Sequence, residues 1–184
     1  MLKRTGAGHA TLRPQAGFSL IEVLVAVVLL SIGMLAMLMA QTRAMQYART
    51  AELRSVAIQY ANDLIDRMRA NSKAADNYVH DKPYDPNSKI GDLTVNCGQV
   101  ECSAKDMATY DLTMLRHRLR GNLPGGDVFV ERDSSTGMMK VWVLWQQPSN
   151  DELDSAGTSL GSLCPSGIGQ VDPMPQCLPV GAML

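Results

Sequence analysis

A single carboxylate, Glu22, lies near the start of a long apolar stretch. From Val23 to Thr42 the chain carries no charged residue, and a helix of about 20 apolar residues can cross the hydrocarbon core of a bilayer. A charge inside that core costs roughly 2.5 to 3.5 kcal/mol on insertion scales. Glu22 therefore needs a cationic partner, or its side chain must reach the membrane surface.

The residues before Glu22 can supply that cation. An ordinary secretory signal has an apolar core of roughly 7 to 15 residues followed by small residues at the cleavage site, whereas here the small pair Ala16-Gly17 comes first. Cleavage after Gly17 would remove the leader and keep the apolar helix. The new N-terminus at Phe18 would carry an α-amine, whose ordinary pKa is about 8, one turn from Glu22. That amine can pair with Glu22 of the same chain or of a neighbouring chain.

The charge distribution indicates the orientation of this segment. The leader contains three cations, Lys3, Arg4 and Arg13, and no acidic residue, so we expect it to stay cytoplasmic and the chain beyond about Gln41 to face the periplasm. Without residues 1–17 the chain keeps 14 basic and 18 acidic residues, a net charge of −4. That acidic balance argues against a nucleic-acid partner.

The chain has four cysteines: Cys97, Cys102, Cys164 and Cys177. An even number in an oxidising compartment favours two disulfides. Three pairings are possible, and nearness in sequence favours Cys97 with Cys102 and Cys164 with Cys177. A zinc site is the alternative, but the spacings are not those of paired Cys-x-x-Cys ligands, and His80 and His117 lack partners in sequence. We predict no metal site.

No catalytic pattern emerges from the remaining residues. Ser166-Gly167 is not part of a nucleophile elbow, and Gly6-x-Gly8 lies in the leader, where it cannot serve the mature chain as a phosphate loop. His117 lies among Arg116, Arg118 and Arg120, which we assign to a solvated helix face. We predict neither enzyme activity nor a cofactor.

A single long helix must position these N-terminal residues. No Gly or Pro occurs between Arg43 and Asn71, and apolar residues recur there at helical spacing. This stripe consists of Leu53, Val56, Tyr60, Leu64 and Met68. A helix over residues 18–71 would be on the order of 80 Å long at about 1.5 Å per residue.

Beyond the stem helix the sequence predicts a small α+β head. Residues 71–92 are expected to be irregular, and Leu93–Cys97 is a strand candidate. Ser103 to Asp106 has the form of a helix capping box, for a helix that should end at Gly121. A hairpin follows, with strands 127–131 and 138–146. Val141, Val143 and Trp145 alternate there with Trp142 and Leu144, which indicates a central strand. We expect the tail after Pro148 to be loop.

The segment Gly17-Phe18-Ser19-Leu20-Ile21-Glu22 resembles the processing site of type IV prepilins and related pseudopilins. The resemblance implies that a prepilin peptidase cuts after Gly17 and methylates Phe18. It also implies that Glu22 docks each subunit into the growing filament. The alternative for Glu22 is a side chain that only snorkels to the membrane surface.

The resemblance extends into the head. Four segments are similar to minor pilins of the PilV or pilus-modification type: the stem "RSVAIQYANDLIDRMRAN" at residues 54–71, Asp111-Leu112, "NLPGG" at 122–126 and "VWVLWQ" at 141–146. This implies the pilin fold, a long N-terminal α-helix packed on a small antiparallel β-sheet. A bond between Cys164 and Cys177 would correspond to the disulfide-bounded C-terminal region of many pilins.

These observations divide the chain into a cleaved leader (1–17), a transmembrane or filament-core helix (18–42), a periplasmic amphipathic half of the same helix (43–71) and a head (72–184). We expect a single-pass inner-membrane protein, with its head in the periplasm, that later joins the pilus. The predicted function is that of a minor pilin that helps initiate the filament near its tip; the alternative is a pseudopilin of a type II secretion system. The resemblance implies these partners: other minor pilins, the major pilin, the prepilin peptidase, the inner-membrane assembly platform and, as a further candidate, a tip adhesin.

Overall fold

A computed structural model describes residues 17–93, 95–147 and 163–183. The chain divides into two compact units, residues 1–47 and residues 48–184. Its elements are helix α1 (Leu20–Ala70), helix α2 (Ala104–Asn122) and strands β1 (Asp127–Arg132), β2 (Met139–Trp145) and β3 (Gln176–Ala182). In the part of the chain that the structure describes, short 3-10 helices cover Ser72–Tyr78 and Ser166–Ile168. The predicted α+β fold is confirmed, while residues 1–16 of the expected leader lie outside the described ranges.

Helix α1 is continuous from Leu20 to Ala70, and Gly33 does not interrupt it. Two hydroxyl groups in its apolar part are satisfied within the helix. Ser31 donates to the carbonyl of Val27 at 2.7 Å, and Thr42 donates to the carbonyl of Leu38 at 2.9 Å. Because these hydroxyls are already bonded, they add little to the cost of placing the helix in an apolar medium.

The head contains a three-stranded antiparallel sheet in the order β1-β2-β3. The predicted hairpin is present, with Asp127 opposite Leu144 and Arg132 opposite Met139. The central position of β2 is confirmed, and both of its faces are covered. Val141, Val143 and Trp145 belong to one core cluster, and Trp142 and Leu144 belong to another.

The first cluster joins α1, α2 and the inner face of the sheet. The stripe expected on α1 is partly correct, since Leu64 and Met68 are buried, whereas the other three members are only partly buried. Two small residues of α1 that were not part of the predicted stripe, Ala57 and Ala61, are fully buried in this cluster. Other buried members of this cluster include Ile65, Ala108, Leu115, Leu119, Val128 and Val130.

Helix α2 begins as the capping box predicts. The backbone N–H of Asp106 donates to Oγ of Ser103 at 3.2 Å, and that hydroxyl donates to the Asp106 carboxylate at 2.6 Å. The helix ends at Asn122, one residue after the expected Gly121.

The segment 71–92, expected to be irregular, contains the 3-10 helix Ser72–Tyr78. Two expectations for the strands of the head are wrong. None of the described residues 93 and 95–97 is in a strand, because the chain turns at Asn96, whose side chain accepts from the Gly98 N–H at 3.1 Å. In the tail, which was expected to be loop, residues 176–182 form β3. Pairing along β2 holds this strand although it contains Pro179, a residue that sheets tolerate at an edge. The rest of that tail, residues 148–162, lies outside the described ranges.

The turn between α2 and β1 requires glycine at position 126. A Cβ atom there would lie 2.4 Å from the carbonyl oxygen of Leu119 and 2.9 Å from Cβ of Leu123. The backbone of α2 would have to move to accept it. Gly121, one residue before the end of the same helix, faces open space.

We therefore expect Gly126→Ala to lower the free energy of unfolding by roughly 1 to 3 kcal/mol, as overpacking does. Gly121→Ala is the matched control and should cause no loss, since Ala has the higher helix propensity. Urea unfolding of the full-length protein in detergent, followed by fluorescence of Trp142 and Trp145, measures both. Equal midpoints for the two variants would contradict the close approach at Gly126.

Candidate functional site

The N-terminal end of α1 places Glu22 in the first helical turn. The carbonyl of Ser19 accepts from the backbone N–H groups of Glu22 at 3.0 Å and of Val23 at 3.3 Å, so the helix starts directly after Ser19. The N-terminal end of a helix carries a partial positive charge, which stabilises a nearby anion by about 0.3 to 1 kcal/mol. The carboxylate thus lies where the helix itself favours it.

Phe18 and Glu22 lie on the same side of the N-terminal segment, followed by Ala26 and Leu30. Glu22, the predicted docking residue, thus lies on the same side as Phe18, the predicted methylation site. Ala26 is the small member of this row, so a second helix can approach closely next to the carboxylate. The geometry allows Glu22 to face a cation on its own chain or on a neighbour.

The apolar part of α1 has no cover within the described chain. Every residue from Gly17 to Met45 is exposed, and the large apolar side chains from Phe18 to Met39 are between 52 % and 83 % exposed. This helix is long and apolar enough to cross a membrane. An apolar surface of this extent marks a membrane or protein contact.

In the head, the buried carboxylate of Asp111 joins three elements. It accepts from Nη1 of Arg67 on α1 at 2.7 Å and from the hydroxyl of Tyr78 at 2.8 Å. Burial, together with the bond to Asp111, raises the pKa of Tyr78 to about 12, so the phenol keeps its proton. Asn71 extends the network by donating to the carbonyl of Ala104 at 2.7 Å.

The interpretation of the α2 arginines as a solvated face is wrong for Arg116 and Arg120. Both contact a second buried carboxylate, that of Asp127. Arg116 donates to both of its oxygens, at 2.7 and 2.9 Å, and Arg120 lies 3.3 Å from Oδ2. Arg120 also donates to the carbonyls of Gly126 and Ser88, both at 3.0 Å. These groups hold the loops around α2 in place. By contrast, His117 and Arg118 are exposed.

Neither buried aspartate was predicted from the sequence to be a buried partner of an arginine. Asp111 follows the buried Ala108 by three residues and precedes the buried Leu115 by four. These spacings place it on the buried face of α2, and this position could have indicated that Asp111 is buried. Asp127 follows two glycines at the start of a strand and resembles an ordinary turn residue. Its two partners lie 11 and 7 residues earlier, and only the fold shows the pairing.

All four cysteines are disulfide-bonded, in the pairs that nearness in sequence favours. One bond joins Cys97 and Cys102, and the other joins Cys164 and Cys177. No thiolate is therefore left to bind zinc. The second bond ties the 3-10 helix 166–168 to β3 over the outer sheet face, where Phe129 and Trp142 pack edge to face.

Comparison with protein families supports the assignment of both halves of α1. Residues 12–38 match the model of the prokaryotic N-terminal methylation motif, and residues 39–113 match the model described as type IV pilin Tt1218-like. The chain belongs to the type IV pilins. The two matches are contiguous and together span the processing segment, α1 and the first part of α2. No curated protein and no solved structure matches this chain.

A type IV pilin is a structural subunit that is processed by a prepilin peptidase and assembled with other pilins. The leader and the apolar helix indicate membrane anchoring followed by incorporation into a pilus. The narrower PilV-like assignment stays a prediction, because the family match is to the Tt1218-like pilins.

The Cys164–Cys177 disulfide should contribute more to the stability of the head than the Cys97–Cys102 disulfide does. Replacing Cys164 and Cys177 together with Ser opens a longer loop than replacing Cys97 and Cys102, with sequence separations of 13 and 5. Loop entropy alone gives losses of about 3 and about 2 kcal/mol, respectively. The first pair of substitutions also places a hydroxyl at the buried position 177.

Urea unfolding of the two double variants, again followed by tryptophan fluorescence, measures this difference. The full-length protein in detergent and without reductant is the reference. A larger loss from the Cys97/Cys102 variant would show that the C-terminal loop does not hold the outer face of the sheet.

Proposed function

We propose that this pilin is a minor pilin, a low-abundance subunit that helps initiate the type IV pilus and lies at or near its tip. The observation that carries the proposal is the N-terminal half of α1, an exposed apolar helix with one carboxylate in its first turn, directly after Gly17-Phe18. The apolar side chains of such a helix are shielded from water only in a membrane or against the helices of other subunits.

The N-terminal residues have separate roles in this proposal. The peptidase cuts after Gly17, which releases residues 1–17, and Phe18 is methylated. The positively charged amine of Phe18 on one subunit then pairs with Glu22 of the next. The exposed side of the helix at Phe18, Glu22 and Ala26 supports this arrangement, because it leaves room for a neighbouring helix.

The proposed location follows from the charges of the chain. The basic leader keeps residues 1–17 in the cytoplasm, residues 18–42 span the inner membrane, and residues 43–184 lie in the periplasm before assembly. Two disulfides in the head support this orientation, because disulfides form and persist in the periplasm.

The minor role is supported by the similarity of the stem and of the segments 122–126 and 141–146 to PilV-type minor pilins. A pseudopilin of a type II secretion system would share the leader and the stem. The two disulfides and the PilV-like stem favour the pilus. Other minor pilins, the major pilin and the inner-membrane assembly platform are the proposed partners.

Deletion of the gene distinguishes the two functions. For an initiating minor pilin, we expect the deletion strain to lose surface pili although the major pilin is still made and stored in the membrane. Electron microscopy and immunoblots of sheared and membrane fractions measure both. Normal piliation together with failed protein secretion would instead identify a pseudopilin.

Substitution of Glu22 tests the docking role. Glu22→Ala removes the attraction to a neighbouring amine, which is strong in a medium of low dielectric constant, and leaves that amine without its partner. We expect a processed subunit that stays in the membrane and is at least tenfold depleted from sheared pili, a factor that corresponds to about 1.4 kcal/mol. Glu22→Asp, which is shorter by one methylene group, should be intermediate.

The matched control is Glu52→Ala, which removes an exposed carboxylate from the same helix. Immunoblots of membrane and pilus fractions give the distribution of each variant. Wild-type amounts of Glu22→Ala in the pili would show that the side chain only snorkels to the membrane surface.

A further inference from the structure

Strand β1 lies at one edge of the sheet, and His80 pairs with the side of it that faces away from β2. The N–H of His80 donates to the carbonyl of Val130 at 2.8 Å, and the N–H of Val130 donates to the carbonyl of His80 at 2.9 Å. Within the described ranges, no other backbone pairing is found on this edge. These two hydrogen bonds therefore tie the segment after the 3-10 helix to the sheet and cover backbone groups that an open edge would expose.

The side chain of His80 is half-buried and lies beside a buried ion-pair network. His80, Tyr84 and Asp127 line a cavity of about 10 Å³, together with apolar side chains that include Phe129 and Ile168. A cavity needs roughly 10 to 15 Å³ to hold one water molecule. On this side, a charged imidazole would thus find at most one water molecule to solvate it.

The charges around this imidazole come from three elements. Helix α2 contributes Arg116, which donates to both oxygens of Asp127 on β1 at 2.7 and 2.9 Å, and Arg120, which lies 3.3 Å from the same carboxylate. The segment of His80 itself contributes Asp81 and Lys82, both exposed. Because two arginines already pair with the buried carboxylate, a proton on His80 would add a further cation to a site whose buried anion is satisfied.

These surroundings determine the direction in which the imidazole responds to pH. Burial and the charge of Arg116 lower the pKa of His80, with Lys82 acting in the same direction and Asp127 and Asp81 in the opposite one. Tyr84 stays neutral, because burial raises its pKa. A histidine whose pKa is lowered by folding stabilises the fold fully above its ordinary pKa of about 6.5, and this contribution is lost as the pH falls below that value.

We infer that His80 is an acid-sensitive latch, whose protonation releases the segment 79–84 from the edge of β1. The added cation repels Arg116 and has little water on the cavity side, so the charged form favours an open segment in which the imidazole is solvated. Release leaves the N–H and the carbonyl of Val130 unpaired on an edge strand, where another strand can bind. The latch belongs to the head and does not depend on the position of this pilin in the filament.

Amide exchange of the full-length protein in detergent, followed by NMR, measures the latch at the N–H groups of His80 and Val130. Both should lose protection between about pH 7.5 and about pH 5, on either side of the ordinary histidine pKa of about 6.5. The rates are corrected for the intrinsic pH dependence of amide exchange. The amides of β3 are the internal reference and should stay protected, because β3 pairs with β2 and not with the segment at His80.

Two substitutions of His80 fix its charge in opposite senses. His80→Gln is neutral at every pH and should keep the Val130 amide protected at about pH 5. His80→Arg carries a permanent cation and should lack this protection even at about pH 7.5. The matched control is His117→Gln, which removes an exposed histidine from α2 and should respond to pH as the wild-type chain does. Tryptophan fluorescence checks that each head is folded.

The imidazole signals of the wild-type chain, assigned with the two Gln variants, keep the test independent of how well any variant folds. Loss of protection at Val130 should follow the titration of His80 and not that of His117. Three results would overturn the inference: full protection at Val130 at about pH 5 in the wild-type chain, loss of protection while His80 is still neutral, or the same loss in His80→Gln as in the wild type.

Discussion

The apolar surface of α1 between Leu20 and Thr42 has no partner within the described chain, and this constrains the rest of the molecule. About 20 such residues cost too much free energy to leave in water. The segment must therefore pass from lipid to contact with other subunits without being solvated. A charged residue within this surface is therefore expected to take part in the passage of the helix from the lipid into the filament. Glu22 does so in the proposed function, because it lies in the first turn and pairs with the amine that processing creates.

The head is small, and both faces of its three-stranded sheet must be covered by other parts of the chain. Its inner face packs on α1 and α2, where Asp111 and Asp127 pair with arginines from both helices. A buried carboxylate is costly unless it is paired and hydrogen-bonded, so each network fixes its helix in one position. The outer face is covered by Tyr84, Ile168 and Cys164, which is disulfide-bonded to Cys177 of β3.

Much of this architecture could be predicted because its signals are local. The uninterrupted helical pattern up to Asn71, the capping box at Ser103 and the alternation in Val141 to Trp145 each depend on neighbouring residues. The missed strand at residues 93–97 is a local error, caused by the turn at Asn96, whereas two other errors concern long-range effects. Strand β3 contains Pro179 and Gly181 and is held by pairing with β2, and the arginines of α2 are drawn inward by Asp127. The first-turn position of Glu22 was predictable, whereas the ion pair of Asp111 with Arg67 depends on how two distant helices pack.

In the proposed function, the apolar helix of this pilin is retained and becomes the N-terminus of the mature subunit. Mass spectrometry of the chain from sheared pili measures this directly. We expect an N-terminal peptide that begins at Phe18 with one methyl group on its amine, and no peptide from residues 1–17. A chain in the pili that retains residues 1–17, or one that begins after Thr42, would show that this helix does not form the mature N-terminus.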